Sequence, residues 1–332
     1  MLVTGGAGYV GSHACKALSQ AGYLPVVYDN LSRGHAWAVK WGPLVRGDLL
    51  NPARLAKAIS KYRPSAVLHF AAYTYVGESV EAPGRYYRNN LVGTMNLLDA
   101  MRGHGIDRIV FSSTCSVYGV PATARIREDH AQQPINPYGH SKRMVEQLLR
   151  DYAVAYGLRS VSLRYFNAAG ADPEGEIGEA HEPETHLIPL VLEAAAGARR
   201  HLTVHGARYA TRDGTCIRDY VHVSDLASAH VLALKYLQSN KGAAAFNLGN
   251  GRGFSVREVI DATRRVTGLR IPTRIGPRRA GDPPALVGDA RLARRKLRWR
   301  PRYGGIDEII ATAWRWHRTR NGAQSAEAGG RS

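Results

Sequence analysis

Short apolar runs alternate along the first half of the chain with longer stretches of helical periodicity. Met1-Leu2-Val3-Thr4 reads as a strand, Gly5 to Gly11 as a glycine turn, and Ser12 to Ala21 as a helix. Leu24 to Tyr28 is a second strand, ending at Asp29, and Pro43 to Arg46 a third, leading to Gly47-Asp48. A helix with proline in its first turn covers Pro52 to Tyr62. The strand Ala66 to Phe70, a long helix from about Gly84 to His104 and the strand Arg108 to Ser112 follow. An amphipathic helix then runs from Tyr138 to about Tyr156, before the strand Ser160 to Phe166. Alternation of this kind predicts a doubly wound parallel sheet, the α/β Rossmann type, whose ligands sit at the carboxyl ends of the strands. Asp48, Phe70, Thr114 and Asn167 all fall at such ends.

The pattern changes after Asn167. Gly170 to Glu184 is polar and rich in Gly, Pro and Glu, and reads as a loop or lid. Helices are predicted over Leu187 to Ala198, Ser224 to Leu237, from Ser255 onward with a Ser255/Glu258 capping box, and over Asp307 to Arg318. Short strands are predicted at Leu202 to His205, Cys216 to His222 and Phe246 to Leu248, and Pro272 to Gly288 is rich in Pro, Arg and Gly. This predicts a nucleotide-binding domain over 1–167, with returning segments near 216–249, and a smaller α/β substrate-binding domain over 168–318. The small, polar residues 319–332 read as a disordered tail.

Composition narrows the class. The chain has 332 residues, 44% hydrophobic and 22% charged, enough for a sizeable core. No apolar run reaches the ~18 residues that span a bilayer, and no signal peptide is evident, so neither a membrane nor export is expected. Three cysteines, Cys15, Cys115 and Cys216, lack C-x-x-C spacing. They argue against a disulfide framework or a zinc site, and no metal is expected; a reducing cytoplasm suits them. The net charge is +18, but the arginines are scattered and no nucleic-acid motif accompanies them. A solvated basic surface that also suits anionic small molecules is the simpler reading.

Two constellations carry chemistry. The first is strand, glycine turn, helix and, about 20 residues on, an acid at a strand end. Gly5, Gly8 and Gly11 allow a tight turn and close approach of a pyrophosphate to the helix N-terminus, and Asp29 can accept from a ribose. Arg33 and Arg46 would suit a 2′-phosphate, but Asp29 would repel one, so NAD is favoured over NADP. The second is Tyr138 and Lys142, at i and i+4 on one helical face. A cation there is expected to pull the phenol down from its ordinary value and let it act as a base. Alone this pair is a common surface pattern; beside a dinucleotide fingerprint it gains weight.

The motifs resemble those of the extended short-chain dehydrogenase/reductase superfamily, and specifically the UDP-glucose 4-epimerase (UDP-galactose 4-epimerase) family. The resemblance runs from Met1 to about Arg318. It rests on Thr4-Gly-Gly-Ala-Gly-Tyr-Val-Gly-Ser-His13, Tyr28-Asp-Asn-Leu-Ser32, His69-Phe-Ala-Ala72, Val76-Gly-Glu-Ser79 and Tyr86-Tyr-Arg-Asn-Asn90. Further motifs are Asn136-Pro-Tyr-Gly-His-Ser-Lys142, Leu163-Arg-Tyr-Phe-Asn167, Asp213 to His222, Asn247-Leu-Gly249 and Pro277-Arg-Arg-Ala-Gly-Asp282. It implies tightly bound NAD held by Gly5, Gly8, Tyr9, Val10, Gly11, Asp29, Asn30, Asp48, Leu49, Phe70, Asn89 and Phe166. It implies Tyr138 as the catalytic acid/base, Lys142 as its partner on the nicotinamide ribose, and Thr114 as a hydrogen bond to the sugar 4-oxygen. For a UDP-sugar it implies Asn167, His186, Leu187, His205, Arg218, Arg279, Asp282 and Leu286, the two arginines suiting a pyrophosphate.

Some positions depart from the pattern. Thr74 replaces a lysine common in the family, His186 a common asparagine, and His205 the usual aromatic beside uracil. Leu286 stands where some members carry a Tyr that narrows the sugar pocket, so an N-acetylated hexose is admissible. Related dehydratases and decarboxylases follow their strand-end Ser/Thr with acids; here Cys115, Ser116 and Val117 follow Thr114. That favours simple epimerisation. A UDP-xylose/UDP-arabinose or UDP-GlcNAc/UDP-GalNAc epimerase stays open, as does, more distantly, a non-catalytic dinucleotide sensor. Relatives dimerise through the Tyr138 helix and the Tyr87 to Met101 helix, so a homodimer is expected. Val145, Leu148 and Leu149 suit that interface or a core.

Overall fold

The structure, a computed structural model, describes residues 1–123, 125–278 and 283–329, with side chains as far as residue 320. In chain order the first half holds β1 (Leu2–Thr4), α1 (Tyr9–Gln20), β2 (Val26–Asp29), β3 (Leu44–Arg46), α2 (Pro52–Tyr62) and β4 (Val67–His69). These are followed by α3 (Val76–Glu81), α4 (Pro83–Tyr86), α5 (Gly93–Gly103), β5 (Arg108–Thr114), β6 (Arg125–Ile126), α6 (Pro137–Tyr156) and β7 (Arg159–Tyr165). The remainder holds β8 (Asn167–Ala169), α7 (Leu187–Ala195), β9 (Leu202–His205), β10 (Ile217–His222), α8 (Val223–Ser239), β11 (Ala243–Leu248) and β12 (Gly253–Ser255). It ends with α9 (Val256–Thr267), β13 (Thr273–Gly276), β14 (Ala285–Gly288), α10 (Arg291–Lys296) and α11 (Ile306–Gly329).

Among the described residues, seven strands form one parallel sheet in the order β11-β7-β5-β4-β1-β2-β3. Neighbouring residues on each strand point to opposite faces, and both faces are apolar. Val3, Val27, Leu68 and Val110 pack on one side with Leu18, Leu226, Leu234 and Trp299. Leu2, Val26, Val67, Ile109 and Phe111 pack on the other with Leu55, Ile59, Leu97, Met101, Val145 and Leu149. Val145 and Leu149 are thus core residues, which removes them from any surface between subunits. The order in which successive strands are added reverses between β1 and β4, and the glycine turn opens at that point. A smaller layer centres on β10, flanked by β12 and β14, with β8 and β6 joined to it. Its own core is Ile188, Val191, Leu192, Val204, Val259, Ile260, Ile309 and Ile310.

Several segments differ from the sequence reading, among them β6 and α10, where no element was expected. The helix expected over Gly84 to His104 is interrupted by a π-helical turn, Tyr87–Val92. Asn90, inside that turn, accepts from Tyr73 N–H at 2.9 Å and donates to Tyr73 C=O at 3.0 Å and to Ser141 Oγ at 3.1 Å. Those distant partners hold the wider turn open. Pro272 to Gly288 supplies two strands, β13 beside β9 and β14 beside β10. The last helix continues beyond Arg318 to Gly329, over a stretch in which Ala, Gln and Glu favour helix, where a disordered tail was expected.

Candidate active site

The glycine turn is shaped by what lies around it. Gly5 adopts φ +74°, and a Cβ there would come within 2.5 Å of Ala71 N. A Cβ on Gly11 would come within 2.2 Å of Gly5 O, so the helix can start this close to the strand only without a side chain. α1 begins at Gly8 with no side-chain cap and no acid in its first turn. Its first N–H groups and positive dipole end are therefore open to an anion. Beside the turn, Asp29 accepts from Ala7 N–H at 3.0 Å and Leu31 N–H at 2.8 Å. Burial raises its carboxyl, with the two backbone bonds opposing that. Asn30 donates to Asp48 Oδ2 at 2.9 Å, and Leu49 is buried next to it. An uncapped helix start, a turn with no room for side chains and a carboxylate at the next strand end fit an adenine dinucleotide.

Tyr9 and Asn89 are more occupied than their motifs suggest. The Tyr9 hydroxyl donates to Gly170 C=O at 2.6 Å. Val10 follows it, half-buried, in the first turn of α1. Asn89 donates to Asn90 Oδ1 at 2.9 Å within the π-helical turn. Phe70 packs on His230 at 4.6 Å between ring centroids, and Phe166 packs with Val117, Tyr118 and Ile126.

The three candidate residues Tyr138, Lys142 and Thr114 converge at the carboxyl end of β5. Asn136 caps α6 by accepting from Gly139 N–H at 2.8 Å, Pro137 fills the first turn, and Gly157 closes the helix in the left-handed region. This frame buries Tyr138 and Lys142 on the sheet side. Thr114, the last residue of β5, lies beside the Tyr138 phenol, and its Oγ1 accepts from Ser116 N–H at 3.1 Å. Burial, then the neighbouring Tyr165, pushes the Tyr138 phenol up, and the Thr114 side chain opposes this. The sequence argument that Lys142 would lower the phenol is not met by the chain on its own. Lys142 Nζ instead donates to Ser112 C=O at 2.8 Å and lies 4.7 Å over the Phe111 ring. Burial pushes Lys142 down to about 7, against the attraction of Glu146.

A lysine whose pKa is depressed in the fold penalises stability while it is charged. The penalty is complete below pH 7, fades as pH rises toward the unfolded value of 10.5, and is on the order of a few kcal/mol. Nucleotide-free Lys142→Met protein is therefore expected to melt above nucleotide-free wild type at pH 7, with the gap closing toward pH 10.5. Thermal melts of both across that range check this, and a gap independent of pH would refute it.

Beneath the trio lies a network that the motif reading missed. Glu146 accepts from Ser113 Oγ at 2.6 Å and from Arg164 Nε at 2.9 Å and Nη2 at 2.6 Å. Arg164 also donates to the Tyr118 hydroxyl at 2.8 Å, which donates to Asn247 Oδ1 at 2.7 Å. The sequence did contain a clue: Glu146 lies one helical turn beyond Lys142, on the face that must be buried. A second chain joins Thr4 Oγ1, His69 and Thr94 Oγ1 at 2.7 and 2.9 Å.

β10 links the smaller layer to this site. Asn167 pairs with Tyr220, and Arg218 lies in register with Leu286. The Cys115 thiol, next to Thr114, senses both Arg218 and Asp219, although burial dominates and pushes it up to about 12. Asp219 is engaged by the N–H groups of Asn250, Gly251 and Gly288 at 2.9–3.0 Å. His186 and Leu187 open α7, and His205 ends β9. Arg279 and Asp282 lie outside the described residues.

The model of the NAD dependent epimerase/dehydratase family matches residues 1–249. The chain belongs to that family. It is 53% identical to a UDP-glucose 4-epimerase of Rhizobium meliloti (strain 1021), over 97% of this chain and 98% of the relative. Its fold matches the crystal structure of UDP-glucose 4-epimerase from Brucella ovis in complex with NAD, with TM-score 0.92 and 57% identity over 94% and 96% of the two chains. It also matches a UDP-glucose 4-epimerase from Stenotrophomonas maltophila with bound NAD and formylated UDP-arabinopyranose, with TM-score 0.94 and 41% identity over 97% and 98%. The doubly wound sheet and the alternation that predicted it are those of this family.

Proposed function

We propose that this chain is an NAD-dependent UDP-sugar 4-epimerase whose principal pair is UDP-glucose and UDP-galactose. The observation that carries the reading is the convergence of Tyr138, Thr114 and Lys142 beside an open dinucleotide turn. The turn Cys115–Tyr118 that follows Thr114 has no carboxylate for chemistry beyond C4, and Asp219 is committed to backbone amides. The Gly5–Gly11 turn and α1 would hold the NAD pyrophosphate, Asp29 and Asn30 the adenosine ribose, and Asp48-Leu49 the adenine. Phe70, Asn89 and Phe166 would border the rest, with Lys142 on the nicotinamide ribose. When bound, NAD supplies a hydride acceptor that is regenerated within each turnover.

The chain's own residues do the positioning and move the proton. Tyr138 Oη takes the proton of the sugar 4-hydroxyl and gives it back to the same oxygen once C4 has been reduced from its opposite face. Thr114 hydrogen-bonds the 4-oxygen throughout. Arg218, with Arg279, would hold the UDP pyrophosphate bidentately, and Asn167, His186, Leu187, His205 and Asp282 would surround the nucleotide. Fixing the diphosphate leaves the sugar free to present either face, and Leu286 leaves more room beside it than a tyrosine.

The deciding experiment is NMR of the products from UDP-glucose, UDP-GlcNAc, UDP-xylose and their 4-epimers. UDP-galactose is expected from UDP-glucose, by protein that carries NAD through purification. Conversion of the pentose pair alone would reassign the substrate, and no conversion of any sugar would remove the activity. Exposed Val92, Met95 and Met144, on the outer side of the π-helical turn, α5 and α6, support a homodimer through those elements. Among the described residues no helix is long and apolar enough to cross a membrane. Cys15, Cys115 and Cys216, odd in number and widely spaced, support a reducing, cytoplasmic setting.

A further inference from the structure

The segment between β8 and α7 gathers ligating side chains away from the proton-transfer trio. The donor atoms of Glu179, His181, Glu184 and His186 all lie within 4.8 Å of one another. His181 Nδ1 is 2.9 Å from Glu179 Oε1 and 3.8 Å from Glu184 Oε1. His186 Nδ1 meets the same Glu179 oxygen. The carboxylates are nearly sealed, at 7% exposure for the Glu179 side chain and 9% for that of Glu184.

Hydrogen bonding alone satisfies this arrangement poorly. Two imidazoles turn the same kind of nitrogen toward one carboxylate oxygen. The His181 nitrogen is close to that oxygen but poorly aligned with it, and is a buried polar atom without a hydrogen-bond partner. Buried polar atoms of this kind call for an explanation, an ion among them. A cation between the four groups would accept both Nδ1 lone pairs and both carboxylates at once. Ligands about 2.0–2.2 Å from a tetrahedral ion are themselves roughly 3.3–3.6 Å apart, so the observed spacings need only small side-chain rotations. Two imidazoles and two carboxylates form a donor set that suits zinc, and four protein ligands make a closed, structural site. Supporting bonds are in place: Glu184 Oε1 accepts from Thr185 N–H at 2.7 Å and His186 N–H at 2.8 Å. The His186 side chain, 42% exposed, gives an ion a way in from solvent.

We propose that Glu179, His181, Glu184 and His186 form a structural site for one divalent cation of the zinc class. Its place in the fold gives it a task. The His181 ring meets Tyr9 edge-on at 6.1 Å and Tyr75 edge-on at 6.0 Å. Tyr9 begins α1 at the glycine turn, and His186 caps the start of α7. A bound ion clamps the 170–186 segment between the dinucleotide turn and the smaller layer. The sequence argument against zinc considered only cysteines and left this Glu/His set untested.

The test uses the full-length protein, stripped with a chelator, incubated with zinc chloride and gel-filtered. About one zinc per chain by mass spectrometry is expected, and cobalt(II) in its place should give the intense visible bands of a tetrahedral site. Glu179→Gln/His181→Ala is expected to lose both signals and to bind zinc at least about 100-fold more weakly in competition with a chromophoric chelator. Wild type that retains no stoichiometric zinc overturns the proposal. So does a double variant that retains as much, since 13 histidines give other places for loose zinc. Should the double variant fail to fold, Glu184→Gln is read by the same cobalt spectrum: a changed spectrum supports the site, and an unchanged one refutes it.

Discussion

Tyr138→Phe protein is expected to retain NAD and lose about 10²–10⁴-fold in turnover, the usual contribution of a positioned acid/base. The ring is buried against the sheet, so removing one oxygen leaves its packing intact. What disappears is the phenolic oxygen beside Thr114, the atom proposed to exchange the proton of the sugar 4-hydroxyl. Burial holds this phenol protonated in the chain by itself, and Lys142, drawn to Ser112 C=O and close to neutrality, does not offset that. The remaining bias toward phenolate has to arise when the site is filled. A coupled assay for turnover, alongside the nucleotide content of the purified variant, makes the measurement; turnover near that of wild type would exclude Tyr138 as the base.

The largest expected effect on stability lies one helical turn further along α6. Glu146→Ala leaves the Arg164 guanidinium, 3% exposed, without its counter-charge. Breaking a buried pair on one side costs about 3–5 kcal/mol, because the surviving charge stays desolvated. Replacing both partners, Glu146→Met with Arg164→Met, should cost less than Glu146→Ala alone. Denaturant midpoints of the three proteins decide the matter, and a double variant less stable than the single one would contradict the account. Because Ser113 also donates to Glu146, the single variant should loosen the backbone that positions Thr114.

Local chemistry made much of this legible beforehand. The glycine turn and Asp29 are neighbours through one strand and one helix, so a fingerprint suffices. The Ser255/Glu258 box closes as its spacing implied, with both reciprocal bonds present. What escaped depends on partners far away in sequence. The π-helical turn needs Tyr73 and Ser141 to hold Asn90. The Arg164–Glu146 pair needs β7 to run beneath α6, and β14 forms by pairing with β10 on one side and β6 on the other. The direction of the Tyr138 and Lys142 shifts depends on how deeply the helix is buried, which i and i+4 spacing does not contain.

The position of β11 beside β7 bears on how the protein can be made and remade. A ribosome that has released residues 1–167 has supplied six of the seven sheet strands, but β7 is still an open edge and α1 lacks the α8 surface that packs against it. An open edge invites pairing with another chain. The nucleotide-binding half therefore completes itself only after Leu248 emerges. Chimeras that exchange this half between relatives should take residues 217–248 along with it, since a splice at 167 separates a sheet from its own final strand.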